Sequence, residues 1–174
     1  LNDPHLGSGH KPDFFLIAPV FWRDELVAFA ADCAHMVDVG GTGPGSQAVA
    51  VSDPYQEGIC FPPIKLYHRG EPNHEMFEVL KANVRVPDRV AGDIRAQRNA
   101  TRFGEVRFLE LVESYGMDTI DACIEQLLDR SEAQVRSAIL EISDGDYTAE
   151  DYFDDYGEGT EPLKIRVTVR IRGD

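Results

Sequence analysis

Residues 10–38 read HKPDFFLIAPVFWRDELVAFAADCAHMVD, and this stretch decides the fold. Phe14 to Phe21 and Glu25 to Ala34 are runs rich in apolar and aromatic side chains, parted only by Trp22-Arg23-Asp24. Runs of that composition bounded by a short polar break form strands, and so short a break folds the second strand back on the first as a hairpin. A hairpin returns its last residues to its first, so His35 is expected near Asp13 although 22 residues separate them. His10 precedes Asp13 in a His-x-x-Asp spacing within the opening loop. Two imidazoles and one carboxylate form a common open ligand set for zinc, iron or manganese, leaving positions for water or a substrate oxygen. The plainer reading of His10, Asp13 and His35 is loop side chains that cap turns.

On either side of the hairpin lie loops. Residues 1 to 13 hold Pro4, Gly7, Gly9 and Pro12, a density of turn formers that favours a loop shaped to hold something. Residues 38 to 46, DVGGTGPGS, carry so much glycine that helix or strand there is entropically costly. Asp38 repeats the His-x-x-Asp spacing after His35 and reads as a fourth ligand, a partner orienting His35, a general base, or an Asx-turn entering the glycine loop. Gly41, Gly43 and Gly45 invite a phosphate-cradle reading, but no Lys-Ser/Thr follows and SQAVAVSD is no clear helix, so a turn or lid fits better. Glu57, in YQEGICFPPIKL, sits beside a proline pair and by itself reads as ordinary surface.

From Asn73 the apolar period becomes helical. Asn73 suits an N-cap before Met76, Phe77 and Leu80, and this helix runs to about Asn83. Pro87 opens a long helix with Val90, Ile94, Val106, Leu109 and Val112 on one stripe, ending near Gly116. A further helix, capped by Asp118, carries Ile120, Ile124, Leu127, Leu128, Val135 and Ile139, and is expected to pack antiparallel to the long one. Asp93 and Gln97, four apart, share a helix face and can present a carboxylate and an amide to one ligand; the alternative is a plain surface pair. Arg95, Arg98 and Arg102 form a basic strip beside them. Asp144-Gly145 marks a turn, Tyr147 to Phe153 a strand, and Lys164 to Arg172 a strand of alternating apolar and polar residues. The acidic stretch Glu150 to Glu161, with Asp151, Asp154, Asp155 and Glu158, reads as a solvated turn. Strands, then helices, then strands predict an α+β fold: N-terminal antiparallel strands with a metal loop, a central helical pair, and C-terminal strands.

At 174 residues and 43% hydrophobic content the chain supports a real core, and residues 1–174 are expected to form a single domain of at most two lobes, or a fragment of one. The net charge of -14, from 31 acidic and 17 basic residues, repels polyphosphate backbones and anionic headgroups, which argues against nucleic-acid and membrane partners. Cys33, Cys60 and Cys123 lie far apart without a CxxC, which fits a reducing cytoplasm; no Gly-x-Ser-x-Gly is present, and covalent serine or cysteine catalysis is unsupported. No basic-then-apolar leader opens the chain. Its opening on Leu-Asn-Asp-Pro and its close on an apolar strand give the expectation of a segment cut from, or processed out of, a larger subunit.

Several motifs stand in register along the whole chain: NDPHLGSGHKPD, AHMVDVGG, QEGICFPPIKL, NVRVPDRVAGDIRAQRNATRFG and the closing DGDY with IRVTVRIRGD. Through them the chain resembles the hydantoinase B/oxoprolinase family, which embraces B subunits of ATP-dependent N-methylhydantoinases, the matching half of 5-oxoprolinase, and the catalytic subunits of acetone and acetophenone carboxylases. The resemblance implies that His10, Asp13 and His35 bind a divalent metal (Zn, Mn or Fe). It implies that Asp38, Glu57 and Asp93 serve catalysis and that Gln97 contacts substrate. It further implies a hydantoinase A-like ATPase partner that binds ATP, a small-molecule substrate, and a hetero-oligomer. The implied reaction is ATP-dependent opening of a cyclic amide, with ketone carboxylation as the alternative; a folded module without turnover is the third reading. His5 stands where the family usually has an aromatic and Met36 where a second histidine is frequent, so a dinuclear site is not implied.

Overall fold

The computed structural model describes residues 1–47, 51–154, 157 and 159–173. They form two compact units, Leu1–Glu110 and Leu111–Asp174, within an α+β architecture of small antiparallel sheets and three helices.

The first unit is organised by the expected hairpin. Strand β1 (Asp13–Trp22) pairs antiparallel with β2 (Glu25–His35), joined by Arg23 and Asp24 with φ of 48° and 66°. Positive φ at both central residues is what a two-residue turn needs to match strand twist. Next to the turn Trp22 faces Glu25 and Phe21 faces Leu26, but Val20 faces Ala28, so Val27 is an extra residue in a β-bulge. The bulge has a consequence at the far end. Without it the turn-proximal register would carry Asp13 opposite Ala34; with it, Asp13 pairs with His35. Directly paired residues project from the same side of a sheet, so the bulge decides that Asp13 and His35 share a face.

The opposite face of the hairpin carries Phe14 and Val20, both buried, with Ala28, Ala30 and Ala34. Helix α1 (His74–Asn83) is capped by Asn73, whose side chain accepts from the Met76 N–H at 3.3 Å, as anticipated. Helix α2 (Pro87–Tyr115) begins with proline at a position where no N–H is required. Phe14, Met36 and Val39 pack with Phe77 and Leu80 of α1 and Val90, Ala91 and Ile94 of α2 in one core. Each such fully buried large side chain is worth about 1.5–3 kcal/mol. Alanines on β2 let α2 come close: a Cβ added at Gly104 would lie 3.8 Å from that of Ala30. Of the expected α2 stripe, Val90, Ile94 and Val112 are buried while Val106 is exposed. A short hairpin, β3 (Tyr67–His68) and β4 (Glu71–Pro72), turns through Arg69 and Gly70, both at positive φ; it was not anticipated, because two-residue strands carry no periodicity to read.

In the second unit, α3 (Met117–Leu140) follows α2 after Gly116 alone, at φ 79°. Gly116 is its cap and Asp118 lies in its first turn, a correction to the expected boundary. No α3 residue is buried, and Ile124, Leu127, Leu128, Val135 and Ile139 are all exposed. The apolar stripe was therefore read correctly, and within this unit it stands exposed. Strands β5 (Gly145–Phe153) and β6 (Leu163–Ile171) make a hairpin laced by Glu150 with Lys164 and Arg166, and by Asp146 with Arg170 and Arg172. Its Val167 and Val169 are exposed as well. Asp151 and Asp154 of the acidic stretch are exposed, while Asp155 and Glu158 lie outside the described residues, as do Ala48 to Ala50 of SQAVAVSD.

Candidate metal centre

The open end of the β1–β2 hairpin carries the site. Asp13 begins β1 and His35 ends β2 directly opposite, while His10 lies one turn back along the opening loop, where the Asp13 N–H donates to the His10 carbonyl at 3.0 Å. The two oxygens of Asp13 divide between the imidazoles: His10 Nδ1 lies 2.8 Å from Oδ2 and His35 Nδ1 lies 3.0 Å from Oδ1. The rings stand 5.0 Å apart between centroids, tilted by 32°. Both histidines are about half exposed, and Asp13 is 24% exposed in its side chain.

Ligand atoms from the three residues lie within 4.8 Å of one another, and among the described residues this is the group with that property. Atoms bound to one ion at about 2.1 Å stand roughly 3 Å apart when they are neighbours at right angles, so the three side chains would close by about an ångström around an ion. Three ligands leave further positions open, and imidazole with carboxylate accommodates zinc, iron and manganese alike. The donor set therefore fits the expected divalent metal.

The loop under the site is tied down by buried polar groups that no spacing announces. Asn2 donates to the carbonyls of Lys11 (2.7 Å) and Ile59 (2.9 Å), and accepts from the Phe61 N–H. Lys11, only 4% exposed, donates to the carbonyls of Pro54 and Gly58. The Met36 N–H donates to the Pro12 carbonyl at 2.8 Å, joining the two chain segments that carry the histidines.

The Asp38 carboxylate is engaged by backbone and guanidinium donors. It is buried and accepts from the N–H groups of Gly40 (2.9 Å), Gly45 (3.0 Å) and Arg85 (2.9 Å), and from the Arg85 guanidinium (3.0 Å). Burial pushes this carboxyl upward, but the hydrogen bonds from the Arg85 and Gly40 N–H groups, the Arg85 guanidinium and the Gly45 N–H together outweigh it and hold the group below the usual carboxylate range. The bond to Gly40 is the Asx-turn geometry offered as the plainer reading. Arg85 also donates to the Gly40 and Gly41 carbonyls, at 3.1 and 2.6 Å. The glycines are required by contact: a Cβ on Gly41 would meet the Gln56 carbonyl oxygen at 2.4 Å, and one on Gly40 the Asn83 carbonyl oxygen at 2.4 Å.

The other candidates are dispersed. Glu57 ends a short 3-10 helix, Pro54–Glu57, whose backbone lies against the glycine loop, and its side chain is partly exposed. Asp93 is exposed on α2, whereas Gln97 is buried and donates to the Phe14 carbonyl at 2.8 Å, so the pair does not present itself jointly to solvent. Of the basic strip, Arg98 lies over the Tyr67 ring and Arg102 pairs with Glu105. A groove of about 950 Å³ runs along β1 past Gln97, Arg98 and Arg102, and none of His10, Asp13 and His35 lines it. Burial, followed by the Asp13 and Asp32 carboxylates, pushes the Cys33 thiol up; burial, followed by Asp3, does the same to Cys60. Neither has the depressed titration of an attacking thiolate.

The model of the hydantoinase B/oxoprolinase family matches residues 1–174. The chain belongs to that family. It is 41% identical to the B subunit of a putative D-/L-hydantoinase of Pseudomonas sp. (strain NS671), covering 99% of this chain and 30% of the relative. The beta subunit of the caprolactamase of Pseudomonas jessenii is 34% identical with the same coverage, and the crystal structure of that ATP-dependent caprolactamase superposes with a TM-score of 0.94 over 99% of this chain and 30% of its own. The acetophenone carboxylase delta subunit of Aromatoleum aromaticum is 27% identical over 90% of this chain and 23% of that subunit. The chain thus spans about 30% of the length of the first two curated relatives. Among its described residues no helix is long and apolar enough to cross a membrane.

Proposed function

We propose that this chain is the metal-bearing segment of a B-type subunit that opens cyclic amides of the hydantoin, lactam or 5-oxoproline kind, driven by ATP bound to a hydantoinase A-like partner in a hetero-oligomer. The observation that carries the reading is the convergence of His10, Asp13 and His35 from two strand ends and a loop onto one accessible point. Support for the amide branch comes from identity, which is higher to the hydantoinase and caprolactamase subunits, 41% and 34%, than to the acetophenone carboxylase subunit, 27%.

A divalent ion at this site would supply Lewis-acid polarisation of a substrate oxygen, or a water of lowered pKa. The chain's own residues do the rest. His10 and His35 offer imidazole nitrogens, and Asp13 bridges them so that neither ring turns away. Once the ATPase partner has phosphorylated the amide oxygen, water adds to the ring carbon and the C–N bond breaks to free the amine. A second water hydrolyses the resulting acyl phosphate to carboxylate and inorganic phosphate. Glu57 is the carboxylate proposed to take the proton from the first water, and Asp93, exposed on α2, is a second carboxylate proposed for the reaction. Asp38 supports the reaction by holding the glycine loop that follows His35, and Gln97 by holding β1 against α2.

The test combines metal analysis of the purified protein with ATP-dependent turnover of hydantoin, 5-oxoproline, caprolactam and acetone by the complex with its ATPase partner. Stoichiometric metal and turnover of a cyclic amide are expected; Glu57→Gln should lower kcat by about 10²–10⁴-fold without loss of metal. Turnover of acetone alone would move the assignment to ketone carboxylation, and full turnover by metal-free protein would end it.

A further inference from the structure

The ligand loop contains a hydroxyl that the reading above does not use. Ser8 is only 7% exposed, and its Oγ lies 2.8 Å from the His10 carbonyl oxygen and 3.0 Å from the Asp13 carbonyl oxygen, donating its hydrogen between them. These are the backbones of two of the three ligands. The next residue is shaped by the same carboxylate: a Cβ on Gly9 would stand 3.3 Å from Asp13 Oδ2, the oxygen held by His10. The Ser8 N–H in turn donates to the Asp3 carbonyl at 3.3 Å, which closes the opening loop on itself.

We propose that Ser8 is a positioning residue for the metal site, its hydroxyl clamping the His10 and Asp13 carbonyls so that the imidazole and carboxylate converge, while Gly9 leaves the Asp13 carboxylate room to lie between the two imidazoles. The inference rests on the metal reading of His10, Asp13 and His35. A buried hydroxyl shared by two carbonyls fixes the pitch of the Ser8–Asp13 turn more sharply than the single Asp13-to-His10 backbone bond does. A half-exposed histidine on a loop otherwise samples several rotamers, and each ligand that must be ordered on binding lowers affinity. Ser8 touches neither the ion nor a substrate; it acts through the two ligands.

The experiment measures dissociation constants for Zn(II) and Mn(II) by chelator competition, and the visible spectrum with Co(II), for the unsubstituted protein and for Ser8→Ala, Ser8→Thr and Gly9→Ala. Partners that orient metal ligands are typically worth about 10–100-fold in affinity. Ser8→Ala should weaken both metals by about 10-fold and alter the Co(II) bands. Ser8→Thr, which keeps the hydroxyl, should stay within about 3-fold of the unsubstituted protein, and Gly9→Ala should also weaken binding, through the pressure on Asp13. Loss of fold is read separately by thermal melting without metal; if Ser8→Ala does not fold, Gly9→Ala carries the decision. Unchanged affinity and an unchanged Co(II) spectrum in folded Ser8→Ala, or in Gly9→Ala where that variant decides, overturn the inference and leave the metal reading standing. Failure of the unsubstituted protein to bind any of these ions overturns both.

Discussion

Removing the Asp38 carboxylate separates a holding role from a catalytic one. In Asp38→Ala, the N–H groups of Gly40, Gly45 and Arg85 lose their acceptor, and so does one face of the Arg85 guanidinium. The guanidinium is 40% exposed and recovers part of its loss from water. The Gly40 N–H is buried and bears the full desolvation cost of about 1–3 kcal/mol, with roughly 1 kcal/mol each for the partly buried Gly45 and Arg85 N–H groups. The total, roughly 3–5 kcal/mol, matches the cost of breaking a buried ion pair and lowers Tm by roughly 6–20 °C. Asp38→Asn keeps one oxygen but sets an amide donor against the donors at the other, so about 2–3 kcal/mol is expected. The pH dependence has a definite sign. The folded carboxyl titrates below its ordinary value, so the stability it lends is fully present above about pH 4 and is lost as pH falls through the lower, folded value. Urea unfolding from pH 7 down to pH 2 should show the gap between the unsubstituted protein and Asp38→Asn narrowing below about pH 4. A loss under about 1 kcal/mol at pH 7, or a gap constant to pH 2, would refute the reasoning. Intact stability with abolished turnover would return Asp38 to the role of base.

Three further outcomes are expected. His35→Ala removes a ligand rather than a support, so metal affinity should fall by more than about 100-fold, measured by chelator competition and elemental analysis; retention of stoichiometric metal would exclude His35 as a ligand. Gly41→Ala combines φ of 79° with a Cβ 2.4 Å from the Gln56 carbonyl oxygen and should cost more than about 3 kcal/mol, visible as a collapse of Tm or of soluble yield. Gln97→Leu removes the tie to the Phe14 carbonyl and should cost about 1–2 kcal/mol while turnover in the complex stays within about twofold; lost turnover at unchanged stability would instead make Gln97 a substrate contact.

Which parts of the molecule were readable follows from the range of the interactions involved. The β1–β2 hairpin, the cap at Asn73 and the start at Pro87 are local events, governed by composition and turn chemistry within a few residues, and each lies within a residue or two of its expected place. Hairpin closure alone brings His35 to the neighbourhood of Asp13, but the direct pairing of the two did not follow from it. The bulge at Val27 was not readable, because nothing in FWRDELVAF distinguishes a flush hairpin from one with an extra residue. Arg85 was missed for a related reason. Its partners are 44 to 47 residues away, and no local pattern marks a long-range guanidinium. Asp38 and Gln97 were found as residues set apart, yet spacing could not tell a carboxylate or amide facing a ligand from one turned inward to satisfy backbone groups. The α3 stripe shows the converse: periodicity correctly reports an apolar face, but not whether the surface that covers it belongs to these residues.

The arrangement at the hairpin's open end shows how the proposed metal site would need so little sequence. A ladder pair fixes two side chains on one face of the sheet with Cα atoms about 5 Å apart, closer than helix or loop spacing usually allows for residues so distant in the chain. Adding one ligand from the turn immediately before the first strand requires only that this turn be stiff. Stiffness is what the surrounding polar groups supply, with Asn2 and Lys11 fastening the loop from below and the Met36-to-Pro12 bond joining it to the end of β2. The ligands then rest on sheet hydrogen bonds and a buried core, while the glycine loop after His35 is held separately by Asp38 and Arg85. This division makes variants in the two supports distinguishable. Loosening the opening loop should weaken metal binding with modest loss of stability, and loosening the Asp38–Arg85 clamp should do the reverse.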